Sequence, residues 1–236
     1  MKSPAPLLLL VCATMALSGC STALHQAGSA PAAPAAVARP ATPDAALEAL
    51  RQGNARFVAR KARNRDYLAE VHATSTDQKP FAAVLSCLDS RVPPEIVFDQ
   101  GIGDLFVARV AGNIENTDIL GSLEFATAAK GTPLILVMGH TGCGAVAGAC
   151  KGVKLGNLTA LLKEIQPAVQ GVHHAHAGQD PASALFQDEV AEENVRRTIA
   201  DIRKRSSVIR DLVDAGKVRI AGAMYDLATG QVRFLD

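Results

Sequence analysis

The sequence lacks an excess of charge of either sign. Lysine and arginine number 24 and aspartate and glutamate number 23, which gives a net charge of +1 with neutral histidines. This near-neutrality argues against nucleic acid as a partner, because nucleic-acid-binding proteins need a basic surface that neutralises phosphates. The densest basic stretch, from Arg196 to Arg205, is mixed with acids along a predicted helix, and this pattern indicates a solvated helix face.

The N-terminus lacks an apolar stretch long enough to span a membrane. After Met1 and Lys2, apolar residues run from Leu7 to about Leu17, whereas a spanning helix needs about 20 of them. Small residues follow and end at Cys20, which is the order found in secretory signal peptides. A cysteine directly after Leu-Ser-Gly resembles the lipobox of bacterial lipoproteins. The resemblance implies that Cys20 carries lipid; the alternative is a plain cleaved signal with an incidental cysteine.

A lipid on Cys20 would hold the protein at the cell envelope, facing the periplasm, with no contact to the membrane except through that anchor. Residues 21–42 are mostly Ala, Pro, Ser and Gly and have no hydrophobic pattern, so we expect a flexible tether there. The chain therefore divides into a signal peptide (1–20), a tether (21–42) and one domain (43–236), which is long enough for a sizeable core.

Paired cysteines are also lacking. Without the signal peptide and Cys20, the chain keeps Cys87, Cys143 and Cys150. An odd number of cysteines in an oxidising compartment requires an explanation. Two metal-bound cysteines and one buried cysteine would account for it. Cys150 follows Cys143 by about two helical turns, so we expect it to be the buried one.

Short apolar runs alternate with helical patterns throughout the domain. Uninterrupted apolar strands between helices are typical of a mainly parallel α/β sheet that helices cover on both faces. Alternating apolar residues after Thr229 and Gly230 predict an additional antiparallel edge strand. The four parallel strands are predicted at Phe81–Leu85, Leu105–Val110, Leu134–Met138 and Val218–Met224, and the edge strand contains Val232, Phe234 and Leu235.

An amphipathic helix is predicted at the start of the domain. Thr42 can cap this helix, Pro43 suits its first turn and Asp44 suits its positive end. Its apolar face, with Leu47 and Leu50, must pack on the domain itself or, as an N-terminal helical arm, on a partner subunit. Further helices are predicted over residues 120–129, 144–149, 155–165, 190–202 and 208–213, with an exposed polar loop at His173, His174 and His176.

Two reactive clusters follow predicted strands. Ser86-Cys87-Leu88-Asp89-Ser90-Arg91 ends the first strand, and Gly139-His140-Thr141-Gly142-Cys143-Gly144 ends the third. In open α/β sheets, ligands bind beyond the carboxyl ends of the strands, so both clusters are predicted at one edge. Two thiolates, one imidazole and one carboxylate form a set of four ligands suited to zinc. The predicted ligands are Cys87, Asp89, His140 and Cys143.

The two clusters resemble the zinc motifs of the β-class carbonic anhydrases. The likeness continues in segments that begin at Gly103, Glu193 and Gly222, and covers nearly all of the chain after the tether. It implies a lyase, carbonate dehydratase, with one zinc ion per chain. Cys87, His140 and Cys143 would hold this ion, and hydroxide in the fourth position would convert carbon dioxide reversibly to bicarbonate and a proton.

The resemblance implies two arrangements for Asp89. Bound to zinc, Asp89 would close the site, and paired with Arg91 it would leave the fourth position open and hydrogen-bond the hydroxide. Arg91 would therefore gate the site, and both residues would be catalytic. A permanently closed site that only stabilises the fold is the alternative outside enzymes. Within enzymes, hydrolysis of carbon disulfide or a similar small electrophile is the alternative.

The resemblance also implies substrate-binding residues. Gln78 matches a glutamine that hydrogen-bonds substrate, Phe106 matches an apolar pocket residue, and Phe125 stands where plant-type relatives have tyrosine; ordinary core packing is the alternative for the phenylalanines. In the family a dimer shares the pocket, so a homodimer or homotetramer is expected. Arg109 matches the arginine of an inhibitory bicarbonate site, but Val84 replaces that site's tryptophan.

Overall fold

The computed structural model describes residues 39–176 and 178–235. The predictions for the signal peptide, for Cys20 and for most of the tether therefore lie outside the described residues. Within the described ranges, no helix combines the length and the apolar character that crossing a bilayer requires.

Five strands form one sheet. The first four strands pair in parallel in the order β2-β1-β3-β4, and β5 pairs antiparallel with β4. This arrangement confirms the predicted four-stranded parallel sheet with an antiparallel edge strand. The strands are β1 (Ala82–Ser86), β2 (Leu105–Arg109), β3 (Leu134–His140), β4 (Arg219–Tyr225) and β5 (Val232–Leu235).

Helices follow the strands and cover the sheet. They are α1 (Pro43–Val58), α2 (Tyr67–Thr74), α3 (Pro94–Val97), α4 (Thr117–Glu124), α5 (Gly144–Cys150), α6 (Leu158–Ala175), α7 (Ala184–Arg205) and α8 (Ser207–Asp214). A 3₁₀ turn (Ala111–Asn113) follows β2, and a π-helical turn (Phe125–Ala129) extends α4.

The central strands are buried on both faces. Successive side chains of a strand point to opposite faces, and Ala83 and Leu85 accordingly join the core that includes residues of α4 to α8. Ala82 and Val84 join a second core under α1 and α3. Continuous burial of β1 and β3 explains why their sequences are uninterrupted apolar runs.

The first helix packs on the domain itself. Thr42 caps α1 by accepting a hydrogen bond from the backbone of Ala45, as its sequence predicts. Leu47 and Leu50 are buried against the sheet. Buried Asn54 donates to the carbonyls of Val97 and Gly230 and accepts from the backbone of Val232, which joins α1 to β5. Of the two predicted packing partners for α1, the chain's own sheet is the one it contacts.

The predicted loop at His173, His174 and His176 is wrong. α6 continues through the first two histidines, and His176 caps its C-terminal end. The helix extends this far because Val172 continues the buried stripe of Ile165 and Ala168. The three histidines are exposed, as predicted. Helices α2 and α3 were not predicted, since no residue of α2 is buried and α3 has a single turn.

Candidate metal centre

Three potential metal ligands meet at the carboxyl edge of the sheet. Cys87 directly follows β1, His140 is the last residue of β3, and Cys143 immediately precedes α5. Because β1 and β3 are parallel neighbours, their ends lie side by side. One ligand atom from each residue lies within 4.8 Å of the other two, and the two Sγ atoms are 4.0 Å apart. All three residues are buried.

The imidazole of His140 has one ring nitrogen without a partner. Its Nδ1 lies 2.9 Å from the carbonyl of Thr141, which fits Nδ1–H as the donor. Nε2 is then the unprotonated nitrogen, and it is buried without a hydrogen bond within the described part of the chain. A buried, unpaired polar atom is costly unless something binds it. This atom and two thiols at close range are a donor set that fits zinc.

The two thiols favour a bound cation. The hydrogen bond from Cys143 is the main cause that lowers the pKa of Cys87 well below its usual range. The same hydrogen bond, together with burial and the Cys87 charge, raises the pKa of Cys143 far above its usual range. Two negatively charged sulfurs only 4.0 Å apart need a positive charge beside them, which a bound metal ion would supply.

Asp89 lies outside the cluster of three ligand atoms and pairs with Arg91. The guanidinium donates two hydrogen bonds to the carboxylate, Nε to Oδ1 at 2.9 Å and Nη2 to Oδ2 at 2.7 Å. The backbone N–H of Arg91 adds a third at 3.0 Å. These bonds hold the pKa of Asp89 well below its usual range. Of the two arrangements expected for Asp89, the structure therefore contains the one in which the carboxylate is paired with Arg91 and lies outside the cluster.

Two residues that are distant in sequence support the loops that carry the candidate ligands. Arg109 donates to the carbonyls of Cys87 (2.9 Å) and Asp89 (2.5 Å), so it holds the first loop. Asp188 of α7 accepts a hydrogen bond from the backbone N–H of Gly142, a left-handed residue in the second loop. The sequence analysis missed Asp188, because 46 residues separate it from Gly142 and no local motif connects them.

Cys150 lies apart from the cluster. It is at the last turn of α5, half-buried instead of fully buried, and burial raises the pKa of its thiol. It packs against the same core that contains Cys143. Cys150 therefore packs against the apolar core as predicted, although its side chain is only partly buried.

The three residues predicted to bind substrate do not surround this chain's own cluster. Gln78 is exposed and precedes the amino end of β1, at the edge of the sheet opposite Cys87. Phe106 lies near the amino end of β2, and its ring contacts Phe125 edge to face with centroids 6.0 Å apart. The two rings line a groove of about 600 Å³ beside this edge strand.

Comparison with known proteins identifies relatives over most of the domain. The model of the carbonic anhydrase family matches residues 82–232. Carbonic anhydrase 2 of Mycobacterium tuberculosis is 36% identical over 82% of this chain and 93% of its own length. The carbonic anhydrase of Mycolicibacterium smegmatis is 38% identical over 80% of this chain and 92% of its own.

Solved structures agree with this likeness. The β-carbonic anhydrase CcaA superposes with a TM-score of 0.67 at 25% identity, over 80% of this chain and 95% of that chain. A tetrameric β-carbonic anhydrase of Sordaria macrospora superposes with a TM-score of 0.62 at 25% identity, again over 80% and 95% of the two chains.

Proposed function

Because the chain belongs to the β-class carbonic anhydrases, we propose that it holds one zinc ion and interconverts carbon dioxide and bicarbonate. Cys87, His140 and Cys143 are the proposed ligands. The observation that carries the proposal is the buried cluster of their ligand atoms at the carboxyl edge of the sheet, directly beside the Asp89–Arg91 pair.

Three protein ligands leave one position of a tetrahedral ion free, which is the arrangement of catalytic zinc sites. Zinc bound there would lower the pKa of a water molecule from 15.7 to about 7 and so supply a nucleophile at neutral pH. The pairing of Asp89 with Arg91 supports the open arrangement, because a carboxylate with three hydrogen bonds has its charge satisfied elsewhere. The closed structural site receives no such support.

Asp89 and Arg91 are the proposed gate. While Arg91 holds the carboxylate, an oxygen of Asp89 can accept a hydrogen bond from the reacting water and orient it for attack on carbon dioxide. Arg109 would keep this geometry, since it binds the carbonyls on both sides of Leu88. If the pair with Arg91 broke, the carboxylate of Asp89 would be free to bind the metal in place of water, which would stop turnover.

We infer that the active form is a homodimer or a dimer of dimers. β2 is an edge strand with no neighbour on its outer side among the described residues. Phe125 beside it is 48% exposed and lines an apolar groove together with Phe106. A second copy at this edge would cover the groove of Phe106 and Phe125 and bring Gln78 nearer to another subunit's metal cluster. The tetramer of Sordaria macrospora supports such an assembly.

The test of the proposed reaction is stopped-flow carbon dioxide hydration with zinc-loaded protein that begins after Cys20. We expect turnover at pH 8.5, one zinc ion per chain, and sedimentation as a dimer or tetramer. Protein with full zinc and no hydration activity would contradict the proposal. Release of hydrogen sulfide from carbon disulfide by that inactive protein would favour the alternative substrate.

We also propose that lipid on Cys20 anchors the enzyme to the bacterial envelope, facing the periplasm. The support is the order of apolar residues, small residues and cysteine at the N-terminus. Expressed in a bacterium, the full chain is expected in the membrane fraction and Cys20→Ser in the soluble periplasmic fraction, since a lipid anchor alone would retain the wild type. The anchor would be excluded if the wild type and Cys20→Ser fractionated alike and the mass of the wild type showed no attached lipid.

A further inference from the structure

A chain of hydrogen bonds runs from α7 to the first cysteine of the cluster. The side-chain amide of Asn194 donates to the carbonyl of Gly112 at 2.8 Å. The backbone N–H of Gly112 in turn donates to Sγ of Cys87 at 3.4 Å. Asn194 is 2% exposed and Cys87 is 4% exposed, so water does not compete for these bonds. A residue far away in the sequence thus contacts the backbone that binds the proposed zinc thiolate.

The turn around Gly112 needs external support. Gly112 has φ +71° and Asn113 has φ +44°, so two consecutive residues are left-handed. Asparagine adopts this conformation more readily than most residues, although still at a cost. The turn also has little room to move, because a Cβ atom on Gly112 would lie 2.6 Å from Cδ1 of Ile165. Without Asn194 the carbonyl of Gly112 would be buried without this partner.

We propose that Asn194 is a positioning residue for the metal centre. It fixes the carbonyl of Gly112, and this keeps the N–H of Gly112 directed at Sγ of Cys87. A hydrogen bond to a metal-bound thiolate withdraws charge from the sulfur and fixes its direction, and such outer contacts tune both affinity and electronic properties. The inference rests on the zinc site of the proposed function. It gives Asn194 a role in addition to those of the three proposed ligands and of the Asp89–Arg91 gate.

The chain offers a matched control for this role. Thr198 lies one helical turn after Asn194 and is also buried. Its hydroxyl donates to the carbonyl of Asn113, in the same 3₁₀ turn, at 3.4 Å. Thr198→Val removes a hydrogen bond from the turn. It leaves in place the bond from Asn194 to the carbonyl of Gly112 and the bond from the N–H of Gly112 to Sγ of Cys87. Asn194→Leu keeps the number and branching of the side-chain heavy atoms and removes the amide donor.

The test measures zinc affinity by competition with a chromophoric chelator and the sulfur-to-metal absorption of the cobalt(II)-loaded full chain. Asn194→Leu is expected to bind zinc about 10- to 100-fold more weakly than wild type and to shift the cobalt–thiolate band. Thr198→Val is expected to retain the wild-type affinity and band. Asn194→Ser, whose shorter side chain cannot reach as far, serves if the leucine variant does not fold, with the same shift expected.

The outcomes separate this inference from the proposed function. Wild-type protein that binds no zinc would overturn the metal site itself. Wild-type protein that binds zinc, together with an Asn194 variant of equal affinity and unchanged band, would overturn the positioning role alone. Equal weakening by Asn194→Leu and Thr198→Val would also overturn it, because that result reports general loosening of the turn.

Discussion

Replacement of Cys143 by alanine is expected to abolish zinc binding and to lower the rate of carbon dioxide hydration by at least about 10³-fold. Cys143 contributes one of three buried ligand atoms, and its Sγ lies 4.0 Å from that of Cys87. Alanine leaves two protein ligands, which is fewer than zinc sites in proteins use. Metal analysis and stopped-flow hydration assays measure the two effects.

Thermal stability provides a second measurement of the same change. Metal that binds only the folded state stabilises it, so a chelator should lower the melting temperature of the wild type. The same chelator should leave the melting temperature of Cys143→Ala unchanged, because that variant has no zinc to lose. Asp89→Ala should still respond to the chelator, since Asp89 lies outside the cluster of ligand atoms.

Cys150→Ala is the matched control for Cys143→Ala. Cys150 ends the helix that Cys143 precedes, and it packs on the same core without joining the cluster. We expect full zinc content and near wild-type hydration in this control. Retention of one tightly bound zinc ion and of activity by Cys143→Ala would show that the cluster is not the metal site.

Arg91→Ala is expected to retain zinc and to lose about 10²-fold of the hydration rate, the scale that a small misplacement of a catalytic group costs. Among the described residues, the side chain of Arg91 forms its hydrogen bonds with the carboxylate of Asp89 and not with the three clustered candidate ligands. Without them the carboxylate keeps its charge at neutral pH, since an unperturbed aspartate has a pKa of about 3.9. The freed carboxylate would then be able to bind the metal cation, which would close the fourth position.

The zinc content, kcat and KM of the wild type and of Arg91→Ala measure this effect. Arg91→Lys should recover only part of the activity, because an ammonium group cannot bind both carboxylate oxygens in the planar geometry of a guanidinium. Arg219→Ala is the control, since Arg219 is also an exposed arginine in an ion pair but lies at the amino end of β4. Equal turnover of wild type and Arg91→Ala would exclude the gate.

Local sequence patterns determined the strands, most of the helices and the candidate ligands, but not α2, α3 or the C-terminal end of α6. The apolar runs predict the four parallel strands within one or two residues. The central strands β1 and β3 are apolar throughout because both of their faces are buried. Thr42 predicts the start of α1, because a helix cap requires only neighbouring residues. Cys87, His140 and Cys143 could be assigned to one edge of the sheet because parallel strands end together.

The tertiary structure decided every feature that depends on residues distant in sequence. Arg109, Asp188 and Asn194 reach their partners across 22, 46 and 82 residues, and no local period encodes such contacts. Packing also placed α1 on the chain's own sheet and placed Phe106 and Phe125 away from this chain's ligands. The sequence identified Asp89 and Arg91 as candidate gate residues but did not decide whether Asp89 binds the metal or pairs with Arg91. The folded loop selects their pairing, because the carboxylate receives three hydrogen bonds there.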